Sequence, residues 1–268
     1  MSGPRLGGRG LDLLRDDLSG RDIAIVGQVG DLKLMSARQI EAIHFTLDEH
    51  ASAVTAARSA RRVLERLVRD RLLVRLERRV GGIRAGSASF IYAIGPVGQR
   101  LIGDQLPRVR FREPSATFAL HTLAITQLIV DLTVESRTGR IDLIGLQPEP
   151  VCWRTSVGPM AVATVLRPDL FVAVGVGEYE HRWFIEIDLG TEHLPTLLKK
   201  CAAYQAYYAT GSEQNLHGVF PRVLWVMSNG TRARRLAEAI EDDHHLTVGL
   251  FIVTTKDVAV AVIAGGGE

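Results

Sequence analysis

The residues best suited to chemistry are three carboxylates in the second half of the chain. Asp169 opens one β-prone apolar run, Asp169 to Val176, and Glu186 and Asp188 close the next, Trp183 to Ile187. Side chains alternate along a strand, so Glu186 and Asp188 point to one face, and pairing of the two runs as a hairpin brings Asp169 towards them. Oxygen ligands of this kind hold a hard divalent ion such as Mg²⁺, which can activate water and stabilise charge developing on a phosphodiester. Glu135, on the preceding helical stretch, is a candidate fourth ligand. Lys199 and Lys200 lie early in the next helix and could lean over the site. Tyr204, Tyr207 and Tyr208 follow on that helix, and the 204/208 spacing places two phenols on one face.

Each of these has a plainer reading. Acids at strand ends are often solvated termini, and Glu135 alone fits a surface residue better than a ligand. The Tyr204/Tyr208 pair fits amphipathic packing, because a phenol can bury its ring and keep its hydroxyl wet. His244 and His245 beside Asp242 and Asp243 do not face one way. Cys201, beside Ala202 and Ala203, reads as a small buried apolar residue.

The elements that must position these groups alternate. His121 to Glu135 reads as a helix, residues 147–166 as loops and short strands, and Thr191 to Tyr208 as a helix with Thr191 as its cap. Val223 to Met227 and Leu250 to Thr254 read as buried strands flanking a helix over Thr231 to Ile240. Buried strands alternating with helices imply a mixed sheet with helices on its faces.

The first half of the chain has a different character. Arg21 to Gln28 reads as a short helix, and Ser36 and Gln39 form a capping box that starts a second. A third runs from about Ala51 to Arg71, with a buried stripe through Val54, Ala57, Ala60 or Arg61, Leu64 and Leu67 or Val68. Its opposite face carries Arg58, Arg62, Arg66 and Arg69. Two β-prone runs, Leu72 to Leu76 and Ser89 to Ile94, flank a Gly- and Arg-rich tip and read as a hairpin. Helix, helix, long basic helix and hairpin is the order of a winged helix-turn-helix. Its third helix would enter the major groove, and Arg78, Arg79 and Arg84 on the wing would meet phosphate. A solvated charged face, or a protein-docking winged helix, is the competing reading. His44 fits a packed helix residue better than a ligand, with no second donor at metal spacing.

Composition bounds the rest. The chain has 268 residues, is 46% hydrophobic and 23% charged, and has two cysteines, Cys152 and Cys201, so a disordered chain and a disulfide scaffold are excluded. No apolar run in the sequence reaches the roughly 18 residues of a spanning helix, and no secretory signal is evident, so the expectation is a cytoplasmic protein with no membrane partner. The net charge of +2 conceals a division. Residues 1–112 carry 20 Lys and Arg against 12 Asp and Glu, whereas residues 113–268 carry 12 against 18. Such a split suggests a nucleic-acid-facing front and an acidic back. The Pro107 to Pro114 segment reads as the linker between domains at 10–106 and 115–264.

Several blocks in this order resemble the replication-relaxation family of actinobacterial plasmids and integrative elements. They are Arg21 to Val26, Met35 to Ile40 with His44 and Phe45, Ala60 to Leu67, and Tyr92 to Gly98. The most specific are Pro168-Asp169, then Phe184 to Glu192, then Lys199 or Lys200, and Tyr204. The resemblance implies an α+β chain: an N-terminal winged helix-turn-helix, then a mixed-sheet domain similar to the PD-(D/E)xK restriction-endonuclease-like fold. It implies a role in plasmid replication, relaxation or transfer, double-stranded DNA as a partner, and replication or transfer proteins as further ones. A homodimer is a further expectation. Asp169 matches the first acid of the nuclease motif and Glu186 the second, while Asp188 stands where the motif has lysine. Either Lys199 or Lys200 has taken over that role, or Asp188 serves as a third carboxylate, or the domain binds without cutting. The functional expectation is a DNA-binding protein of a mobile element. The alternatives are a Mg²⁺-dependent endonuclease or nickase, and a winged-helix transcriptional regulator.

Overall fold

The computed structural model describes residues 7–80, 89–103, 112–157 and 163–265. The chain is a mixed α+β protein that divides into two compact units, residues 1–130 and 131–268.

The front unit begins with α1 (Gly8–Asp17) and α2 (Gly20–Leu32). Ser19 caps α2 in a reciprocal box with Asp22, satisfying amides that a helix start leaves open. A short β1 (Leu34–Ser36) leads into α3 (Ala37–His44), where the expected Ser36–Gln39 capping box is present. Next come α4 (Ala53–Arg69), β2 (Leu73–Val80), β3 (Ser89–Ile94) and α5 (Pro96–Leu101). The three strands form an antiparallel sheet in the order β1-β3-β2. This order is compatible with the expected winged helix. Val29, Ile40, Leu64, Leu67, Leu72 and Ile91 meet in the core.

The buried stripe of α4 is Ala56, Ala60, Leu64 and Leu67, a regular four- and three-residue spacing. Val54, expected inside, is exposed in the first turn. After α4 the chain reverses through Arg71, whose φ of 61° is left-handed. Gly95 and Gly98 then let the start of α5 sit directly on the carbonyls of Arg71 and Leu72, where any Cβ would strike backbone. Val97 N–H donates to the Arg71 carbonyl at 3.1 Å, and Gly95 N–H to that of Leu72 at 2.7 Å.

The next helix, α6 (Ala116–Arg137), contains the break between the units at Val130/Asp131. Its first part belongs to the front unit. Ala119 and Leu123 join Leu34, Leu76, Ile91 and Ala93 in one cluster. Thr126 Oγ1 donates to the Leu34 carbonyl at 3.1 Å, and Gln39 Nε2 donates to that of Leu123 at 3.0 Å. The expected linker lies mostly outside the described residues, and the compact division falls about twenty residues later. At 22 residues α6 is also long and apolar enough to cross a membrane, against the expectation that no stretch reaches that length. Half of its apolar window is buried inside the protein, as in a core helix.

The back unit holds a five-stranded sheet. Its members are β4 (Asp142–Pro148), β7 (Leu170–Val176), β8 (Tyr179–Asp188), β9 (Arg222–Met227) and β10 (Phe251–Thr255), after the separate pair β5 (Arg154–Val157) and β6 (Ala163–Leu166). The order is β10-β9-β8-β7-β4. β4, β7 and β8 are antiparallel neighbours, whereas β8, β9 and β10 run parallel. Parallel neighbours need crossovers, supplied by α7 (Leu194–Tyr208), with the short α8 (Ser212–His217), and by α9 (Gly230–Glu241). α10 (Ala259–Ile263) closes the chain. Phe184, Trp225, Leu197, Cys201, Tyr204 and Leu236 form the core between sheet and crossover helices.

Candidate functional site

In the back unit, register brings Asp169 and Glu186 to one end of the sheet. Leu170 pairs with Ile185, so Asp169 stands opposite Glu186. Asp169 N–H donates to the Ile185 carbonyl at 3.1 Å, and its Oδ2 accepts from Ile187 N–H at 2.8 Å. This exchange across the strands pins the carboxylate. Glu186 is 2% exposed and faces α7. Its Oε1 accepts from the Tyr204 hydroxyl at 2.7 Å and its Oε2 from Lys200 Nζ at 3.2 Å. Burial, then repulsion from Asp169, pushes the Glu186 carboxyl up to about 7, against the pull of Lys200 and Tyr204.

Of the two candidate lysines, Lys200 belongs to this cluster and Lys199 is exposed. Lys200 also pairs with Glu192 at 3.3 Å and lies over the Trp225 ring at 5.8 Å. Burial works against its charge, but Glu186, Glu192 and Asp169 outweigh burial and hold the ammonium protonated. The Tyr204 phenol is driven well above its ordinary range by burial and by Glu186, so it is a hydrogen-bond donor to that carboxylate. Tyr207 points to a different acid, donating to Glu213 at 2.9 Å, and Tyr208 packs edge-on against Phe220. Cys201 is buried, with its thiol pushed up to about 12 by desolvation, so it is a packing residue.

Asp188 shares the face of Glu186 but is committed elsewhere. Arg232 of α9 grips both of its oxygens and also donates to the Glu192 carbonyl. At 3% exposed, Asp188 needs that partner. Its cationic partner thus comes from another helix, α9. Sequence spacing gave no signal for Arg232, 44 residues away. Glu135 is remote as well. It pairs with Arg140 at 2.7 Å, beside the Asp142 end of β4, and Asp142 pairs with Gly175 at the far end of β7. That is about 17 Å along the strand from Leu170 at ~3.3 Å per residue.

Among the described residues no group of three His, Cys, Asp or Glu side chains is arranged to hold a metal ion. What remains is a pair, Asp169 and Glu186, whose mutual repulsion shows in the raised Glu186 carboxyl. Mg²⁺ is often held by only one or two carboxylates, with water and phosphate completing its shell, so the pair fits a hard cation of that kind and does not fit zinc.

In the front unit, the basic face of α4 divides in two. Arg58, Arg61 and Arg62 are exposed and make no ion pair among the described residues. Arg66 instead reaches back to α2, donating to Asp22 Oδ1 at 2.7 Å. Asp22 is 1% exposed and accepts from Ser19 as well. Arg69 pairs with its neighbour Asp70 at 3.0 Å. Arg78 and Arg79 lie on β2, with only their backbone described, and Arg84 lies outside the described residues. His44 donates to or accepts from Gln28 at 2.7 Å, as a packed helix residue does.

The chain joins a helical front unit with a basic α4 to a mixed-sheet back unit. A family model described as Replication-relaxation matches residues 27–223. The chain belongs to the replication-relaxation family. Comparison with curated proteins and with solved structures gives no match.

Proposed function

We propose that this is a cytoplasmic DNA-binding protein acting in the replication, relaxation or transfer of a plasmid or integrative element. The front unit is read as a winged helix that holds double-stranded DNA. The observation that carries this is the outer face of α4, where Arg58, Arg61 and Arg62 stand exposed without acidic partners among the described residues. Planar guanidinium groups suit phosphate and guanine edges alike. Fluorescence anisotropy with a labelled duplex across a salt series tests it. Arg–phosphate contacts release counterions, so log Kd must rise steadily with log salt. Weak binding that ignores salt would refute the proposal. Family membership supports partners among replication or transfer proteins, and a homodimer fits a DNA site with two half-sites.

A second reading is favoured by one observation, the convergence of Asp169, Glu186 and Lys200. In it the back unit is a Mg²⁺-dependent nuclease or nickase. Asp169 and Glu186 would hold the ion, which supplies Lewis-acid stabilisation of phosphodiester charge when bound. Lys200, delivered by α7, stands in for the motif lysine and places an ammonium at Glu186. Tyr204 fixes the Glu186 rotamer from below. Supercoiled plasmid incubated with Mg²⁺ or Mn²⁺ decides it, comparing wild type with Asp169→Ala, Glu186→Ala and Lys200→Met. Nicking by the wild type alone supports catalysis. An intact plasmid, or equal cutting by the variants, leaves a binding module or a transcriptional regulator as the reading of this unit.

A further inference from the structure

Beyond Asp188 the sheet opens into a cavity that neither reading above uses. It has a volume of about 590 Å³ and lies at the carboxyl ends of the parallel strands β8 and β9. In open sheets with parallel strands, ligands favour this edge. Its lining is mixed: Leu189, Leu194 and Leu197 are apolar, and His193, Thr231 and Arg235 are polar. Arg235 is exposed and meets no acid among the described residues, in contrast to Arg232, which is locked to Asp188. Gly190, at φ 91°, lines it, and a Cβ there would come within 3.3 Å of the Ser228 hydroxyl. Residues 131–268 carry 12 Lys and Arg against 17 Asp and Glu, so a cationic recess is set against the charge of its own unit.

We infer that this cavity binds one nucleotide, its phosphate on Arg235, His193 and Thr231 and its base or sugar against the lining leucines. The volume lies within the range of small-molecule pockets and accommodates a nucleotide but not a duplex. An unpaired guanidinium beside an imidazole and a hydroxyl supplies charge-assisted and neutral donors to phosphate oxygens. Leucines in the same lining reward a ligand with an apolar part rather than a bare anion. The inference rests on reading the chain as a nucleic-acid protein, and it adds a second site chemically separate from α4. The nucleotide is either part of a strand or free, and the two share this recognition.

The test uses the full chain and fluorescein-labelled oligothymidylate of ten residues, read by anisotropy. Arg235→Glu should weaken binding by about tenfold or more, as loss of a charge-assisted contact with sign reversal would. Arg234→Glu makes the same charge change on the neighbouring exposed residue, which does not line the cavity, and should leave affinity within about twofold. His193→Ala should give a smaller loss in the same direction without reversing any charge. Arg58→Ala/Arg62→Ala should abolish duplex binding and spare oligothymidylate binding, so failure of the front helix and failure of this site are read separately. Displacement of the oligonucleotide by thymidine monophosphate identifies a free nucleotide as sufficient, and its failure to displace identifies a strand. Equal losses in the Arg234 and Arg235 variants, an unaffected Arg235→Glu, or displacement by inorganic phosphate as effective as by the mononucleotide would each overturn the inference.

Discussion

Arg66 and Arg62 look alike in sequence, four residues apart on one helix, yet Arg66 is paired with Asp22 and Arg62 is exposed. Arg66 neutralises a carboxylate that is 1% exposed, and Asp22 Oδ1 accepts its guanidinium at 2.7 Å. Burial works to raise the Asp22 carboxyl, but Arg66 and Ser19 outweigh it and hold it below its ordinary value. Arg66→Ala strands that charge. Breaking a buried pair from one side typically costs about 3–5 kcal/mol. The guanidinium side is 34% exposed and water would relieve part of the loss. The lower end, ~3 kcal/mol, is therefore expected, equivalent to a fall of about 10 °C in the melting temperature of a unit this size. The sign with pH follows from the depressed carboxyl: the pair's contribution is present above the unfolded aspartate value near 3.9 and disappears as pH falls through the folded one. Arg62→Ala, by contrast, should leave melting unchanged and lower the salt slope of duplex binding by about one unit. Thermal unfolding by circular dichroism and the anisotropy salt series, run on both variants, separate the two roles. If Arg66→Ala melts like the wild type while losing duplex affinity and salt slope, the division of the arginines is wrong.

Three further outcomes follow from the geometry. With chelator present, stability should fall as pH rises through the Glu186 value of about 7, because the folded state holds a proton that the unfolded glutamate releases near 4.3, and Glu186→Gln should flatten that slope in urea titrations; an unchanged slope contradicts the placement of the proton. Arg232→Ala leaves Asp188 buried and unpaired and should cost about 3 kcal/mol, with Asp188→Asn in the same chain recovering part of it; a neutral Arg232→Ala in chemical denaturation would refute the pairing. Gly98→Ala drives a methyl into the Leu72 carbonyl and should destabilise the front unit by more than about 3 kcal/mol, visible as loss of its cooperative melting transition.

Much of this architecture is written in local pattern. The capping box at Ser36 and Gln39, the parallel apolar runs of β9 and β10, and the β7–β8 hairpin follow from spacing and residue type, and the structure has them. Long-range partners are less legible. Nothing near Asp188 announces Arg232, and nothing near Arg66 announces Asp22, because an ion pair between elements leaves no periodicity. The spacing extends the stripe back to Val54, but residues 51–55 are all exposed, because the first turn of α4 projects beyond the core. Thr191 reads in the sequence as the cap of α7, yet the helix begins at Leu194 after His193, with Pro195 in its first turn. β1 escaped notice because three residues show no alternation to read. The Gly95–Gly98 block shows the reverse case. It stood out only as part of a family resemblance, and its physical content is two places where backbone meets backbone.

The division of the chain inside α6 bears on how such proteins can be recombined. A gene fragment ending in the Pro107 to Pro114 segment would encode every arginine of the basic helix, yet would discard Ala119, Leu123 and Thr126, which complete the apolar cluster and hydrogen bonds around β1. The smallest heritable piece able to fold as the front unit is thus longer than the segment that carries its basic helix. Exchange of one back half for another can succeed only at crossovers beyond Val130, within sequence that already reads as the next module's first helix.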